Sequence, residues 1–285
     1  MTKTQDPKII RESVREYYGG IALTANPSTS SECNCYTSTN SCCQSDDALA
    51  ITIGANNYES KDSSTLQTEI TGLSLGCGDP VTLASLKPGQ TVLDLGSGGG
   101  MDCFLAASRV GLAGKVIGVD MTSEMITKAR SNKTRLGIKN VEFCQGEIEQ
   151  LPFDDNSMDV IISNCVINLS TDKPGVFREA FRVLRPGGMI AVSDIVTSGI
   201  LPDNIKSDVN AWSSCLAGAL DVSELYMMLR TEGFIDIAIS PISGENSIEK
   251  PLKYQKGFET NPLPEQSGSF QIFSAKITAS KPIKA

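Results

Sequence analysis

Val92-Leu93-Asp94-Leu95-Gly96-Ser97-Gly98-Gly99-Gly100 is the stretch that decides the fold. A short apolar run carrying an acid gives way to a glycine-rich turn, and a helix is expected from about Met101. Such a turn between strand and helix lets backbone amides approach a ligand that side chains would hold off. The dinucleotide fingerprint needs a third glycine where this chain has Met101, so a nicotinamide cofactor fits imperfectly.

Outward from this stretch the rhythm is strand, helix, strand. Lys115–Met121 and Val141–Cys144 read as strands with a helix over Thr122–Leu136 between them. Met158–Val166 reads as a strand, Pro174–Leu184 as a helix and Met189–Val196 as a further strand. Short apolar strands alternating with helices imply a parallel sheet covered on both faces. Beyond Pro202, helices are expected over Asn204–Ala219 and Val222–Glu232. Phe234–Ile242 and Phe270–Ala279 would close the sheet, and polar Ser243–Gln266 reads as a long loop. On the N-terminal side, Ile9, Ile10, Val14, Tyr17 and Tyr18 recur at helical spacing over Pro7–Ile21, with Gly19-Gly20 as the stop. Thr24–Asp47 turns to Ser, Thr and Asn with four cysteines and reads as a loop. Asp79 followed by Pro80 predicts a capped short helix to about Leu86.

The fold class is therefore α/β: a Rossmann-like, mostly parallel, doubly wound sheet. An N-terminal helix and Cys-rich loop (1–66) precede a cofactor-binding domain (67–198), and acceptor-site helices and closing strands follow (199–285). The chain of 285 residues, 40% apolar and 20% charged, is long enough for one good-sized core with appendages. A net charge of −8 repels phosphate backbones and excludes nucleic acid as a partner class. No apolar run reaches the roughly 20 residues that cross a bilayer, and Met1–Asp6 lacks a secretory apolar stretch, so the expectation is a cytoplasmic protein without membrane contact.

There are nine cysteines and no histidine. In a reducing compartment such cysteines point to metal binding or catalysis rather than structural disulfides. Without histidine, chemistry must use thiols, carboxylates or the substrate's own electrons.

The glycine turn with Gly96, Gly98 and Gly100 is the expected cofactor cradle, and Asp94 before it suits a cationic ligand such as the methionine end of S-adenosylmethionine. Asp120, ending the second strand, stands where an acid accepts hydrogen bonds from ribose hydroxyls. Met121 beside it and Asn164 at the end of the fourth strand are counted with the cofactor set. Thr91–Val196 resembles the class I methyltransferases, notably in Leu151-Pro152-Phe153-Asp154-Asp155-Asn156-Ser157-Met158-Asp159 and Arg182-Val183-Leu184-Arg185-Pro186-Gly187-Gly188. That resemblance makes Ile148 and Glu149, after the third strand, the candidates for adenine recognition.

The acceptor is read from the cysteines. Cys165 ends the fourth strand on the rim beside the cofactor, Cys215 lies on the segment after the fifth strand, and Cys77 precedes the first strand between Gly76 and Gly78. Cys103, on a helix, and Cys144, inside a strand, read as small buried hydrophobes. Here the chain resembles the arsenite methyltransferases. The matching pieces are Tyr17-Tyr18-Gly19, Leu75-Gly76-Cys77-Gly78, Asp94 to Gly100 with Asp102-Cys103, Gly118-Val119-Asp120-Met121-Thr122, Ser163-Asn164-Cys165-Val166-Ile167-Asn168-Leu169 and Cys215-Leu216-Ala217-Gly218-Ala219-Leu220. The resemblance implies methyl transfer from S-adenosylmethionine to arsenic(III), with Cys165 and Cys215 as arsenic ligands and Cys77 as a third thiol that relays electrons. One of Cys33, Cys35, Cys42 and Cys43 would complete the set, but the loop does not align by eye. The implied partners are arsenite, its methylated products and a thiol reductant such as thioredoxin or glutathione. Two other readings stand beside it: a quinone-type carbon methyltransferase, and an arsenic-binding protein without catalysis.

Overall fold

A computed structural model describes residues 6–24, 78–199, 201–242 and 270–283. The expected loops over Thr24–Asp47 and Ser243–Gln266 lie almost wholly outside these residues, as do Cys33, Cys35, Cys42, Cys43 and Cys77.

The sheet is built outward from β1 (Thr91–Leu95). On one side it pairs in parallel with β2 (Lys115–Asp120), which pairs with β3 (Val141–Gln145); on the other it pairs with β4 (Met158–Asn164), which pairs with β5 (Leu184–Ser198). The two-residue β6 (Leu220–Asp221) joins the end of β5. The final strands β7 (Ile235–Pro241) and β8 (Gln271–Ser280) complete the order β3-β2-β1-β4-β5-β8-β7, with β8 antiparallel to both its neighbours. The chain turns in opposite directions either side of β1 and β4, which opens a crevice at their C-terminal ends.

The central strands are apolar throughout because both faces are covered. Leu93, Ile117 and Ile161 point into one core with Phe177, Leu225 and Phe234, while their neighbours Val92, Val116 and Ile162 point into the other with Phe104, Val110 and Ile126. Full burial of such a side chain contributes about 1.5–3 kcal/mol. The first core is roofed by α5 (Lys173–Val183) and α8 (Val222–Thr231), and the second by α2 (Pro80–Leu83), α3 (Met101–Val110) and α4 (Ser123–Leu136). Asp79 caps α2 as its sequence predicts, accepting the Thr82 amide at 2.9 Å, and Asp172 and Asp221 cap α5 and α8 in the same way.

Four expectations are corrected. The N-terminal helix α1 (Pro7–Thr24) runs straight through Gly19-Gly20. Gly19 is buried where α1 meets the start of α4, its missing Cβ facing Glu124 and Thr122, so this glycine serves close packing rather than a stop. α2 ends at Leu83 because the chain reverses at Ser85, φ 47°. β5 begins at Leu184, before the expected Met189, and carries Pro186-Gly187-Gly188 within it. The single helix expected over Asn204–Ala219 is instead α6 (Asp203–Lys206) and α7 (Val209–Ser213), followed by a tight turn through Cys215.

Candidate active site

A cavity opens at the C-terminal ends of β1, β2 and β4, lined on one side by Gly96, Ser97, Gly98 and Gly99. Asp120 lies on its wall, its two carboxylate oxygens accepting the amides of Gly98 (2.9 Å) and Thr122 (2.8 Å). Those bonds, with one from the Thr122 side chain, fix the carboxylate on the cavity wall. Burial raises its pKa above the usual carboxylate range, opposed by the two amides. Met121, Ile148, Glu149 and Asn164 line the same cavity, as expected. Glu149 accepts the Ser170 hydroxyl at 2.6 Å, and Arg11 of α1 reaches Glu147 at 3.1 Å and Glu149 at 3.8 Å, closing the far wall with Val14 and Tyr18.

Two expected cradle residues do not reach the cavity. Asp94 is buried behind the turn, where its carboxylate accepts the Cys103 thiol at 3.2 Å; burial, then the nearby Asp102, holds its pKa well above the carboxylate range. The acid that does line the wall beside the glycines is Asp102, which accepts the Asn164 amide at 3.2 Å. Its signal was its place one residue into the helix, where a side chain turns back over the glycine turn. Gly100 likewise faces the core: at φ +93° a Cβ would strike Phe143 and Phe104. Cys103 is no plain hydrophobe, since its thiol partners Asp94, whereas Cys144 is half-buried with only a long contact to the Gly118 carbonyl, 3.8 Å.

The cavity fits a polar, partly cationic nucleoside ligand on its own terms. Ser97 Oγ is buried on its wall without a hydrogen-bond partner among the described residues. Gly98, φ +49°, leaves open space where a Cβ would stand. Asp120 and Asp102 supply acceptors, while Met121 and Ile148 supply apolar surface.

At the inner end of this cavity stands Cys165, on a turn with φ 55°. Cys215, fifty residues later at φ 62°, donates its thiol to the Cys165 carbonyl at 2.8 Å. The two are packed with Ile195 and Ala219 into a small apolar cluster and are 4% and 5% exposed. Left-handed backbone is uncommon for residues other than glycine, so the surroundings hold both cysteines where they are. Cys165 is disulfide-bonded, its partner lying outside the described residues, while Cys103, Cys144 and Cys215 are free thiols. Burial, with Asp194 nearby, pushes the Cys215 thiol well up.

Three further residues stand at the acceptor end: Tyr18, from the Tyr17-Tyr18-Gly19 stretch, and Asp194 and Lys173, which no quoted motif contains. Tyr18 donates to the Ser213 carbonyl at 3.1 Å and lies within hydrogen-bond reach of the Cys215 thiol; burial raises its pKa. Asp194, inside β5, accepts the amides of Ile195 (2.8 Å) and Asn168 (3.3 Å), and burial pushes it up to about 7. Lys173 is buried under the Trp212 ring and donates to the carbonyls of Ser170 (2.8 Å) and Asn168 (3.3 Å); burial lowers its pKa to about 8. A charged residue within an otherwise apolar strand, as Ser193-Asp194-Ile195 shows, was the available sequence signal for Asp194.

Comparison with known proteins agrees with this geometry. Residues 86–233 match the family described as "Methyltransferase domain". The arsenite methyltransferase of Halobacterium salinarum is 45% identical over 241 residues, covering 85% of this chain and 61% of the relative. That of Mus musculus is 32% identical over 243 residues, covering 82% and 60%. The chain thus spans about three fifths of the length of these curated relatives. The crystal structure of an arsenic(III) S-adenosylmethionine methyltransferase from Chlamydomonas reinhardtii superposes with a TM-score of 0.64 at 35% identity, covering 78% of this chain and 72% of that one. No helix among the described residues is long and apolar enough to cross a membrane.

Proposed function

Since the chain belongs to the family of arsenic(III) S-adenosylmethionine methyltransferases, we propose that it methylates trivalent arsenic held by cysteine thiolates, with S-adenosylmethionine as donor. The observation that carries this reading is that Cys165 lines a cavity walled by a glycine turn and Asp120, and that Cys215, fifty residues later, donates its thiol to the Cys165 carbonyl.

Bound in that cavity, S-adenosylmethionine supplies an electrophilic methyl on a sulfonium. Asp120 would accept from its ribose, Ile148 and Glu149 would meet its adenine, and Asp102 with Asn164 would face its amino-acid end. Arsenic(III) is soft and prefers thiolate sulfur. Burial keeps the Cys215 thiol protonated until such an ion arrives, because a lone thiolate in an apolar cluster is costly. Exchange of the proton for arsenic then leaves a neutral thiolate complex suited to a dry pocket. The arsenic lone pair is the nucleophile, so no base is needed in a chain without histidine. The protein's part is positioning, for which well-oriented pairs gain up to about 7–11 kcal/mol.

Methyl transfer formally oxidises arsenic to the +5 state, and two thiolates return it to +3 by closing a disulfide. A thiol donor of the thioredoxin or glutathione class, which a cytoplasmic setting supplies, reopens that bond. In this reading Cys77 or an N-terminal cysteine is the relay and methylated arsenicals are the products, a route to arsenic detoxification.

The test is transfer of labelled methyl from S-adenosylmethionine to arsenite, with and without a dithiol, beside a parallel arm with a quinol. Multiple turnover on arsenite only with dithiol is expected. Labelled quinol, or no labelled arsenical, would defeat the reading.

A further inference from the structure

Cys215 is carried on a segment whose backbone bonds are largely its own: Cys215 N donates to Trp212 O, Leu216 N and Ala217 N to Ala211 O, and Ala219 N to Leu216 O. Lys173 packs on the Trp212 ring of this segment and Tyr18 reaches the Cys215 thiol, and three further hydrogen bonds among the described residues tie the turn to the rest of the protein. One is the Cys215 thiol on the Cys165 carbonyl, and it needs the proton that arsenic displaces. Another is Tyr18 on Ser213, two residues short of the cysteine. The third is Asn168, three residues beyond Cys165 and 4% exposed.

The Asn168 carboxamide donates from Nδ2 to the carbonyls of both Ile195 (2.7 Å) and Cys215 (3.2 Å). Its own backbone is seated in turn: the amide donates to Asp194 and the carbonyl accepts from Lys173. That same carbonyl lies against Gly218, where a Cβ would collide with it. One buried side chain therefore links the end of β5, the turn after Cys165 and the turn that holds Cys215. None of these bonds depends on the state of either thiol.

We propose that Asn168 is a positioning residue of the acceptor site: its carboxamide clamps the Cys215 turn against the Cys165 turn and sets the spacing of the thiols that grip arsenic. The proposal rests on the arsenic reading above. Asp194 and Lys173 hold the clamp and act through it, touching neither cysteine by a hydrogen bond among the described residues.

The test uses the full chain reduced with a phosphine. Phenylarsine oxide is titrated against the fluorescence of Trp212, the single tryptophan, and S-adenosylmethionine is titrated by calorimetry. Asn168→Asp keeps the shape and removes both Nδ2 hydrogens. It should raise the arsenical Kd about tenfold or more, two hydrogen bonds' worth, and lower the sulfur coordination of bound arsenic in X-ray absorption. Its S-adenosylmethionine Kd should stay within about twofold. Val183→Ala, a buried core change far from the turn, should bind both ligands as the parent does. If Asn168→Asp does not fold, Gly218→Ala pushes the Cys215 turn off the Asn168 backbone carbonyl, beside the carboxamide bond, and should give the same split. Unchanged arsenical binding in a folded variant overturns the clamp, as does equal weakening of both ligands or a matching loss in Val183→Ala. If the parent itself binds no arsenical, the arsenic reading has failed first and the clamp goes with it.

Discussion

The two ends of the cavity are made differently. The cofactor end is built mainly from neighbours along the chain: one strand, its glycine turn, and the acid closing the next strand, tied by bonds such as Gly98 to Asp120 across 22 residues, with Arg11 and Asn164 reaching in from farther away. The acceptor end is assembled from strangers: Tyr18, Cys165, Asn168, Asp194 and Cys215, joined across 26 to 195 residues. The first is held by strand pairing and is polar; the second is held by side chains in a small apolar cluster. A site of the first kind persists if the sheet does, while one of the second kind can fail alone.

The largest effect should come from breaking the acceptor end by itself. Cys165→Ser or Cys215→Ser should remove methyl transfer to arsenite to below detection, because a hydroxyl is a poor ligand for a soft ion, while S-adenosylmethionine still binds. Transfer at the parental rate in either variant would show that these thiols are not the ligands. The reverse cut is Asp120→Ala, which should weaken S-adenosylmethionine by about 1–3 kcal/mol and leave phenylarsine oxide affinity alone. Calorimetry with each ligand reads both numbers; a shared loss would mean the two ends are one cooperative unit.

A smaller effect concerns pH. Burial lifts Asp194 from 3.8 to about 7 in the folded protein. An acid raised in this way contributes stability that is present below about 3.8 and is lost as the pH climbs to about 7. Thermal unfolding of the reduced, ligand-free chain should therefore show stability falling over that window, and Asp194→Asn should flatten part of the fall. Equal slopes in the two proteins would place the titration elsewhere. Smallest of all should be Cys144→Ser, half-buried on β3, which should change stability by about 1 kcal/mol or less and leave transfer intact. Lost activity in that variant, still folded, would extend the thiol chemistry to the cofactor end.

The same contrast explains what could be read from the chain alone. Strands such as Val92–Leu95 and Val160–Ser163 announce themselves by apolar runs buried on both faces, and the glycine turn marks the cavity they lead to. Asp120, Met121 and Asn164 follow from strand ends, whereas Ile148 and Glu149 were offered by the methyltransferase resemblance; all five line the wall. Asp94 misled because alternation along a strand decides which way an acid points, and its neighbour Cys103 draws it inward. The break in the expected Asn204–Ala219 helix was hidden because its cause is distant: Asn168 and Tyr18 hold the turn from other parts of the chain. Lys173 and Asp194 were hidden for the same reason, their shared hold on the Asn168 backbone being visible only once β5 and α5 are packed.

Cys165 and Cys215 sit on left-handed backbone. For anyone wishing to transplant this site, that is the awkward part. Two cysteines set side by side on a helix or a flat strand of another scaffold would copy the neighbourhood and lose the aim, since backbone conformation decides where a side chain leaves the chain. A faithful graft would carry the two bends along with the thiols. Where a sulfur-free blank is wanted, glycine or asparagine at these positions would spare the bends and remove only the chemistry.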